Sequence, residues 1–163
     1  MTSFKNEIEN QVLILDGAMG TMVQNLGLTD TAFGGPEFKM LTDLLVFSRP
    51  DDLEGIHLEY LQAGANLIET DTFGASPLRL KEFNFSKFDP SDLKAIPDQL
   101  DMKTCSLESL TLQLNIEGCR IAKRAIEKYR TQPDYDGRPL FVAGSIGPSN
   151  YVISSTEANL NKG

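Results

Sequence analysis

Leu13–Met22 reads LILDGAMGTM: an apolar run stops at an acid and then breaks into Gly-Ala-Met-Gly-Thr. With Val12 in front, Val12–Leu15 (VLIL) is a short continuous apolar segment closed by Asp-Gly, the pattern of a strand buried on both faces. Ala65–Thr70 (ANLIET) and Leu140–Ala143 (LFVA) have the same form, each followed by a polar, glycine-containing turn. Three such strands separated by helical patterns predict βαβ units and a parallel sheet, an α/β fold.

The helices between them are marked at both ends. Pro50–Ala63 opens with a proline suited to the first helical position, and Asp51 and Asp52 favour the positive end of the helix dipole. Gly64 is placed to end it, and Leu53, Ile56, Tyr60 and Leu61 form one apolar stripe. A second helix is expected from about Leu107 to Arg130, with Leu110, Leu114, Ile121 and Ala125 inward and Lys123, Arg124, Lys128 and Arg130 towards its negative end. Between them Asn84–Ser106 mixes Pro, Asp, Ser and Lys, with at most a turn or two of helix near Pro90–Ala95. It reads as an irregular excursion within one domain spanning 1–163, and Arg130–Pro139 reads as a polar loop.

The 163 residues suffice for one domain with a real core. A net charge of −8, no Trp and no basic cluster with interleaved aromatics argue against nucleic acid and anionic lipid as partners. No apolar run approaches the roughly 18 residues a membrane span needs, and MTSFKNEIEN lacks the basic start and apolar core of a signal peptide. A soluble, cytoplasmic protein is expected, with Cys105 and Cys119 as free thiols.

In parallel α/β folds, ligands bind where strands end and loops turn outward. The first strand end carries Asp16, Gly17, Gly20 and Thr21. The second carries Glu69, Thr70, Asp71, Thr72, Phe73 and Gly74, and the third Gly144, Ser145, Gly147, Pro148, Ser149 and Asn150. Such a rim can grip a small ligand bearing an ammonium group and a carboxylate, the acids pairing with the first and glycine-freed N–H groups reaching the second. Each segment also has a plain reading. Asp16-Gly17 could be a turn or a helix cap, Glu69 and Asp71 (of one face parity on an extended strand) could be solvated loop acids, and GSIGPSN could be a Gly-Pro turn. GAMG fits no phosphate loop, and His57, the single histidine, falls mid-helix beside the apolar stripe and reads as structural, which sets aside His-based triads.

Taken together, LDGAMGTMVQ (Leu15–Gln24), AGANLIETDTFGAS (Ala63–Ser76) and FVAGSIGPSN (Phe141–Asn150) resemble, in the same order, the opening of the homocysteine S-methyltransferase domain. Leu41–Ala65, LTDLLVFSRPDDLEGIHLEYLQAGA, further resembles the cobalamin-dependent methionine synthases. Position 71 departs: the family usually reads E-T-N-T-F where this chain has ETDTF, and an acid in place of the amide keeps an acceptor but loses two donors.

The resemblance implies a (β/α)8 TIM barrel of parallel strands, incomplete in this chain, with homocysteine bound at its C-terminal rim by Asp16, Gly17, Glu69, Asp71, Thr72, Gly144, Ser145 and Gly147. It implies zinc held by three cysteine thiolates and a methyl group supplied by methylcobalamin, both in the intact enzyme. The zinc cysteines are expected beyond residue 163; neither Cys105 nor Cys119 matches a zinc position, and two thiolates would not complete the set. The expectation is therefore an N-terminal piece, inactive alone and without bound cofactor. Its partners would be the remaining barrel half and the cobalamin and folate domains, or itself through open sheet edges. Two alternatives stand beside this: the same family with betaine or S-methylmethionine as donor, and a non-catalytic amino-acid-binding module.

Overall fold

The alternation of strands and helices is present in the computed structural model, which describes residues 3–94 and 100–148. The chain runs α1 (Phe4–Asn10), α2 (Met19–Asn25), α3 (Leu45–Ser48), α4 (Pro50–Gln62), β1 (Leu67–Glu69), α5 (Pro77–Leu80), α6 (Leu107–Arg130) and β2 (Phe141–Ala143). Short 3-10 turns stand at Asp30–Phe33, Pro36–Phe38, Thr42–Leu44, Phe85–Lys87 and Pro90–Asp92.

The two long helices form for the reasons their ends advertise. Pro50 opens α4 with Asp51 and Asp52 in the first turn, and Gly64, at φ +110°, lets the chain leave it in the left-handed region. At α6 the Ser106 hydroxyl accepts the Ser109 N–H at 3.1 Å, and Lys128 and Arg130 lie in the last turn. Its inward side is Leu110, Leu114, Gly118, Ile121, Ala122, Ala125, Ile126 and Tyr129, a stripe at helical spacing. Leu61 of α4, Ile68 of β1, Ala122, Ala125, Ile126 and Tyr129 of α6 and Leu140 share one core cluster. Each large apolar side chain so buried contributes roughly 1.5–3 kcal/mol.

An ionic clasp closes the same helix pair. Glu54 of α4 accepts from Arg124 and, at 2.9 Å, from Lys128 of α6. Burial alone would raise its carboxyl, but the two cations hold it below the ordinary carboxylate range. His57, one turn on, is buried with Nδ1 unpartnered, and desolvation pushes it down to about 4 against the upward pull of Glu54. It is neutral at physiological pH and part of the core.

β1 and β2 pair in parallel with Leu67 opposite Phe141, Ile68 opposite Val142 and Glu69 opposite Ala143. The expected first strand is reduced to a single parallel bridge, Leu15 to Leu67, and it is not buried on both faces: Val12 is 89% exposed, Ile14 56% and Leu15 51%. An apolar run reports that a segment can be covered, and here it is flanked on one side only. Asn66 joins the three segments. Its Oδ1 accepts the Ile14 N–H at 3.0 Å, its Nδ2 donates to the Pro139 carbonyl at 3.1 Å, and its own carbonyl accepts the Phe141 N–H at 2.8 Å.

The Asn84–Ser106 excursion is irregular but is not loose. Phe85, Phe88, Leu100 and Met102 enter the larger core cluster, and the Phe38 ring meets Phe83, Phe85 and Phe88 at 5.9, 5.3 and 5.4 Å. The helical turn expected near Pro90–Ala95 is the 3-10 turn Pro90–Asp92, with Ala95 outside the described residues. The polar 130–139 loop is also tied down. Arg138 donates to the Leu61 and Ala65 carbonyls and lies 5.1 Å over the Tyr129 ring.

Asn66→Ala removes a partner from two backbone groups at once and is expected to cost about 2–4 kcal/mol in urea unfolding. Gln62→Ala, which breaks only the exposed Gln62–Gln132 amide pair, should stay within about 0.5 kcal/mol. Equal effects would show that Asn66 does not hold the sheet.

Candidate functional site

The strand ends do converge. Asp16 follows the Leu15 bridge and is half-buried; its Oδ2 accepts the Glu69 N–H at 2.9 Å across the sheet. Its Oδ1 is buried and has no partner. Burial pushes the carboxyl up to about 6; the Glu69 N–H opposes this and the Glu69 charge adds to it. Asp16 is not a helix cap, because α2 starts at Met19 with Ala18 at its N-cap and no side-chain bond there. Gly17 is exposed, and a Cβ on it would meet the Tyr60 ring at an ordinary 3.6 Å. Gly20 and Thr21 face solvent on α2.

The second and third rim loops lock into each other. The Thr70 and Thr72 hydroxyls lie 2.7 Å apart. The Ser145 N–H donates to Thr70 Oγ1 at 3.0 Å, Thr72 Oγ1 donates to the Ser145 carbonyl at 3.1 Å, and the Gly147 N–H donates to the Phe73 carbonyl at 2.9 Å. A Cβ on Gly147 would collide with that carbonyl. Ser145 Oγ also donates to Glu69 Oε2 at 3.4 Å, so Asp16, Glu69 and Ser145 form a chain along the rim. Gly144 is exposed with open space around it. Ser149 and Asn150 lie outside the described residues.

Asp71 goes elsewhere. The strand ends at Glu69, and the Thr72 N–H turns back to the Thr70 carbonyl at 2.8 Å, a three-residue turn that breaks the alternation relating 69 to 71. Glu69 stays on the rim while Asp71, 5% exposed, points inward and accepts from Thr42 Oγ1 at 3.1 Å.

Three residues that support the rim carry no obvious signal in the sequence. Asp43 accepts the Gly74 N–H at 2.7 Å from inside the core. Thr42 reaches Asp71 from the same 3-10 turn. Gly118 lets α6 approach the rim, since a Cβ there would stand 2.6 Å from Thr72 Cγ2. An isolated glycine inside a strong helical pattern is the one cue that could have pointed to it.

Among the described residues no group of three His, Cys, Asp or Glu side chains is gathered to hold a metal ion. Cys105 and Cys119 are free and half-buried, the first against the larger core cluster and the second on α6. These donors do not make a zinc set.

The family model for homocysteine S-methyltransferase matches residues 13–162, which takes in all three strand ends and both long helices. The chain belongs to the homocysteine S-methyltransferase family. Among solved structures it is similar to the homocysteine methyltransferase MmuM from Escherichia coli. The metallated form is 24% identical with a TM-score of 0.57, and the oxidized form 25% identical with a TM-score of 0.56. In both comparisons the match covers 96% of this chain and 42% of the other, so the chain spans less than half the length of these relatives. The small parallel sheet and its helices are accordingly similar to a fragment of a homocysteine methyltransferase barrel.

Gly118→Ala separates helix propensity from rim packing. Ala stabilises an exposed helix interior by roughly 0.5–1 kcal/mol over Gly. Here the added methyl must displace Thr72, whose hydroxyl is fixed at both ends, so a net loss of about 1–3 kcal/mol is expected in urea unfolding. A stabilised variant would place α6 farther from the rim than the geometry states.

Proposed function

We propose that this chain supplies the amino-acid grip of a homocysteine methyltransferase, as the N-terminal part of a (β/α)8 barrel domain, with residues 1–163 forming one partial domain. The carrying observation is Asp16: one carboxylate oxygen is held by the Glu69 N–H, and the other is buried without a donor. An α-ammonium group is a donor of the right charge for that oxygen. It would also restore the negative charge that burial disfavours. Glu69, already aligned by its chain neighbours and by Ser145, is a second acceptor on the same rim. The exposed backbone at Gly17 and Gly144 offers N–H groups to the substrate carboxylate. Thr72, Ser145 and Gly147 serve by holding the two loops in register. Asp71 is the member of the proposed set whose carboxyl faces the core, so its part in binding would be indirect.

The reaction of the intact enzyme, on this reading, forms a bond between the homocysteine sulfur and a methyl carbon. The thiol proton leaves, and the donor's bond to that methyl breaks with its electron pair staying on the donor. Zinc, when bound, would stabilise the thiolate; its three cysteines would come from the later part of the barrel. Methylcobalamin is the donor we favour, on the TDLLVFSRPD stretch (Thr42–Asp51), with cobalamin and folate domains as partners. S-methylmethionine or betaine is the second reading, with which the likeness to the homocysteine methyltransferase MmuM is equally compatible. We place the protein in the cytoplasm; among the described residues no helix is long and apolar enough to cross a membrane.

Asp16→Asn in the intact enzyme is expected to weaken homocysteine binding roughly ten- to a hundredfold by calorimetry, the equivalent of about 1.5–3 kcal/mol for a hydrogen bond to a charged group. Wild-type affinity should also fall as the pH drops through about 6, where Asp16 takes up its proton, and the variant should lack that dependence. Unchanged affinity and an unchanged pH profile would return Asp16 to a structural role. Metal-free binding with no methyl transfer from any donor would favour the non-catalytic module.

A further inference from the structure

We propose that Asp43, buried beneath the rim, is a positioning residue for amino-acid binding: by gripping the Gly74 N–H it fixes the loop that aligns Ser145 and Glu69. The proposal rests on the reading of the rim as the amino-acid grip, and extends it to a residue that touches no substrate.

The fit between Asp43 and Gly74 carries the inference. Asp43 Oδ1 accepts the Gly74 N–H at 2.7 Å, although the two residues stand 31 positions apart. Both are buried, Asp43 with 3% of its surface exposed. A Cβ added at Gly74 would stand 2.7 Å from Asp43 Oδ2, 3.0 Å from Leu41 Cδ1 and 3.3 Å from Arg79 Cγ. Gly74 is not among the glycines of positive φ, so space, and not backbone conformation, excludes a side chain there. The glycine lets the carboxylate lie against the loop backbone and take its N–H in a charge-assisted bond. A second tie runs the other way, Thr42 Oγ1 donating to Asp71 Oδ1 at 3.1 Å. The Thr42–Leu44 turn therefore holds the loop on both sides of Thr72 and Phe73.

From Gly74 each step to the rim is a defined contact. The Phe73 carbonyl, one residue earlier, accepts the Gly147 N–H at 2.9 Å. Thr72 Oγ1 donates to the Ser145 carbonyl at 3.1 Å, and the Ser145 N–H donates to Thr70 Oγ1 at 3.0 Å. Ser145 Oγ then donates to Glu69 Oε2 at 3.4 Å, and the Glu69 N–H donates to Asp16 Oδ2 at 2.9 Å. Without the Asp43 carboxylate the Gly74 N–H is a buried donor lacking its acceptor, and the loop gains by shifting to find another. Thr72 and Phe73 shift with it, and Ser145 and Glu69 lose their alignment.

The test is homocysteine binding by calorimetry in the intact enzyme, with urea unfolding of each variant to establish that folded protein is compared. Asp43→Ala is expected to weaken binding about tenfold or more. Asp43→Asn, which keeps an oxygen for the Gly74 N–H, should stay within about threefold of wild type. Thr72→Val removes the hydroxyl that joins the two loops and should itself weaken binding. Adding Asp43→Ala to it should cost less than about threefold more, because the path is already cut. A merely structural Asp43 would leave affinity unchanged in the folded Ala variant, or would act equally in both backgrounds; either result overturns the proposal. So would an Asn variant as weak as the Ala variant. Amide hydrogen exchange of the wild type decides the matter even if Asp43→Ala fails to fold. Gly74, Ser145 and Gly147 should be protected to within about threefold of one another, since the joined loops open as one unit. A Gly74 amide exchanging much faster than the other two would overturn the proposal. Asp16→Asn in the same titrations separates the two readings. Unchanged affinity there removes the amino-acid grip and this inference with it, whereas a weakened Asp16→Asn beside an unaffected Asp43→Ala removes this inference alone.

Discussion

The amide of Asn66 is the constraint on which the rest of the architecture hangs. A parallel sheet has no hairpins to set its register, so strand ends distant in sequence must be brought level by something else. Asn66 sits at the start of β1 and bonds in one direction to Ile14 and in the other to Pro139, while its backbone carbonyl takes the Phe141 N–H. One buried side chain therefore aligns three segments at their entrances. Because the alignment is fixed there, their exits fall side by side: Asp16 beside Glu69, and Glu69 opposite Ala143 and next to Ser145. The rim is a consequence of register before it is a matter of which residues line it.

Behind the sheet, α4 and α6 convert register into rigidity. Their shared core with Ile68 fixes β1 from one side, and the Glu54 clasp with Arg124 and Lys128 closes the helix pair at its edge. The clasp is effective because Glu54 itself is covered while the two cations reach it from the surface, so the charge is paired without burying all three groups. Gly118 then brings α6 within contact of Thr72. The same helix that packs against the sheet through Ala122 and Ala125 thus supports the loop through its glycine one turn earlier.

What could be read in the sequence was what depends on near neighbours. The limits of α4 and α6 follow from Pro50, Ser106 and the spacing of apolar residues, all local, and both helices lie where those signals put them. The three strand ends were legible as turns rich in acids, hydroxyls and glycines, and the motif resemblance pointed to the family that residues 13–162 match. The exposure of Val12, Ile14 and Leu15 was not legible, because an apolar run does not say how many neighbours will cover it. Asp71 misled for a physical reason: parity holds only while the strand lasts, and β1 stops two residues short of it. Asn66, Asp43 and Thr42 act through partners far along the chain, so nothing beside them in sequence marks their roles.

The two halves of the rim are built on opposite principles. Thr70, Thr72, Phe73, Ser145 and Gly147 satisfy one another through hydroxyls and backbone groups, and that lock needs no ligand to complete it. Asp16 is left half-satisfied beside it, with one oxygen anchored and the other buried and idle. A buried acceptor without a donor costs on the order of 1–3 kcal/mol, which the fold tolerates only where the surroundings are stiff enough to prevent collapse onto it. Asp16 is tied to that lock through Glu69, whose N–H it accepts and whose carboxylate accepts from Ser145. The interlocked loops are thus complete within the chain, and the orphaned oxygen of Asp16 is an acceptor on the rim to which the proposed function assigns a ligand's donor.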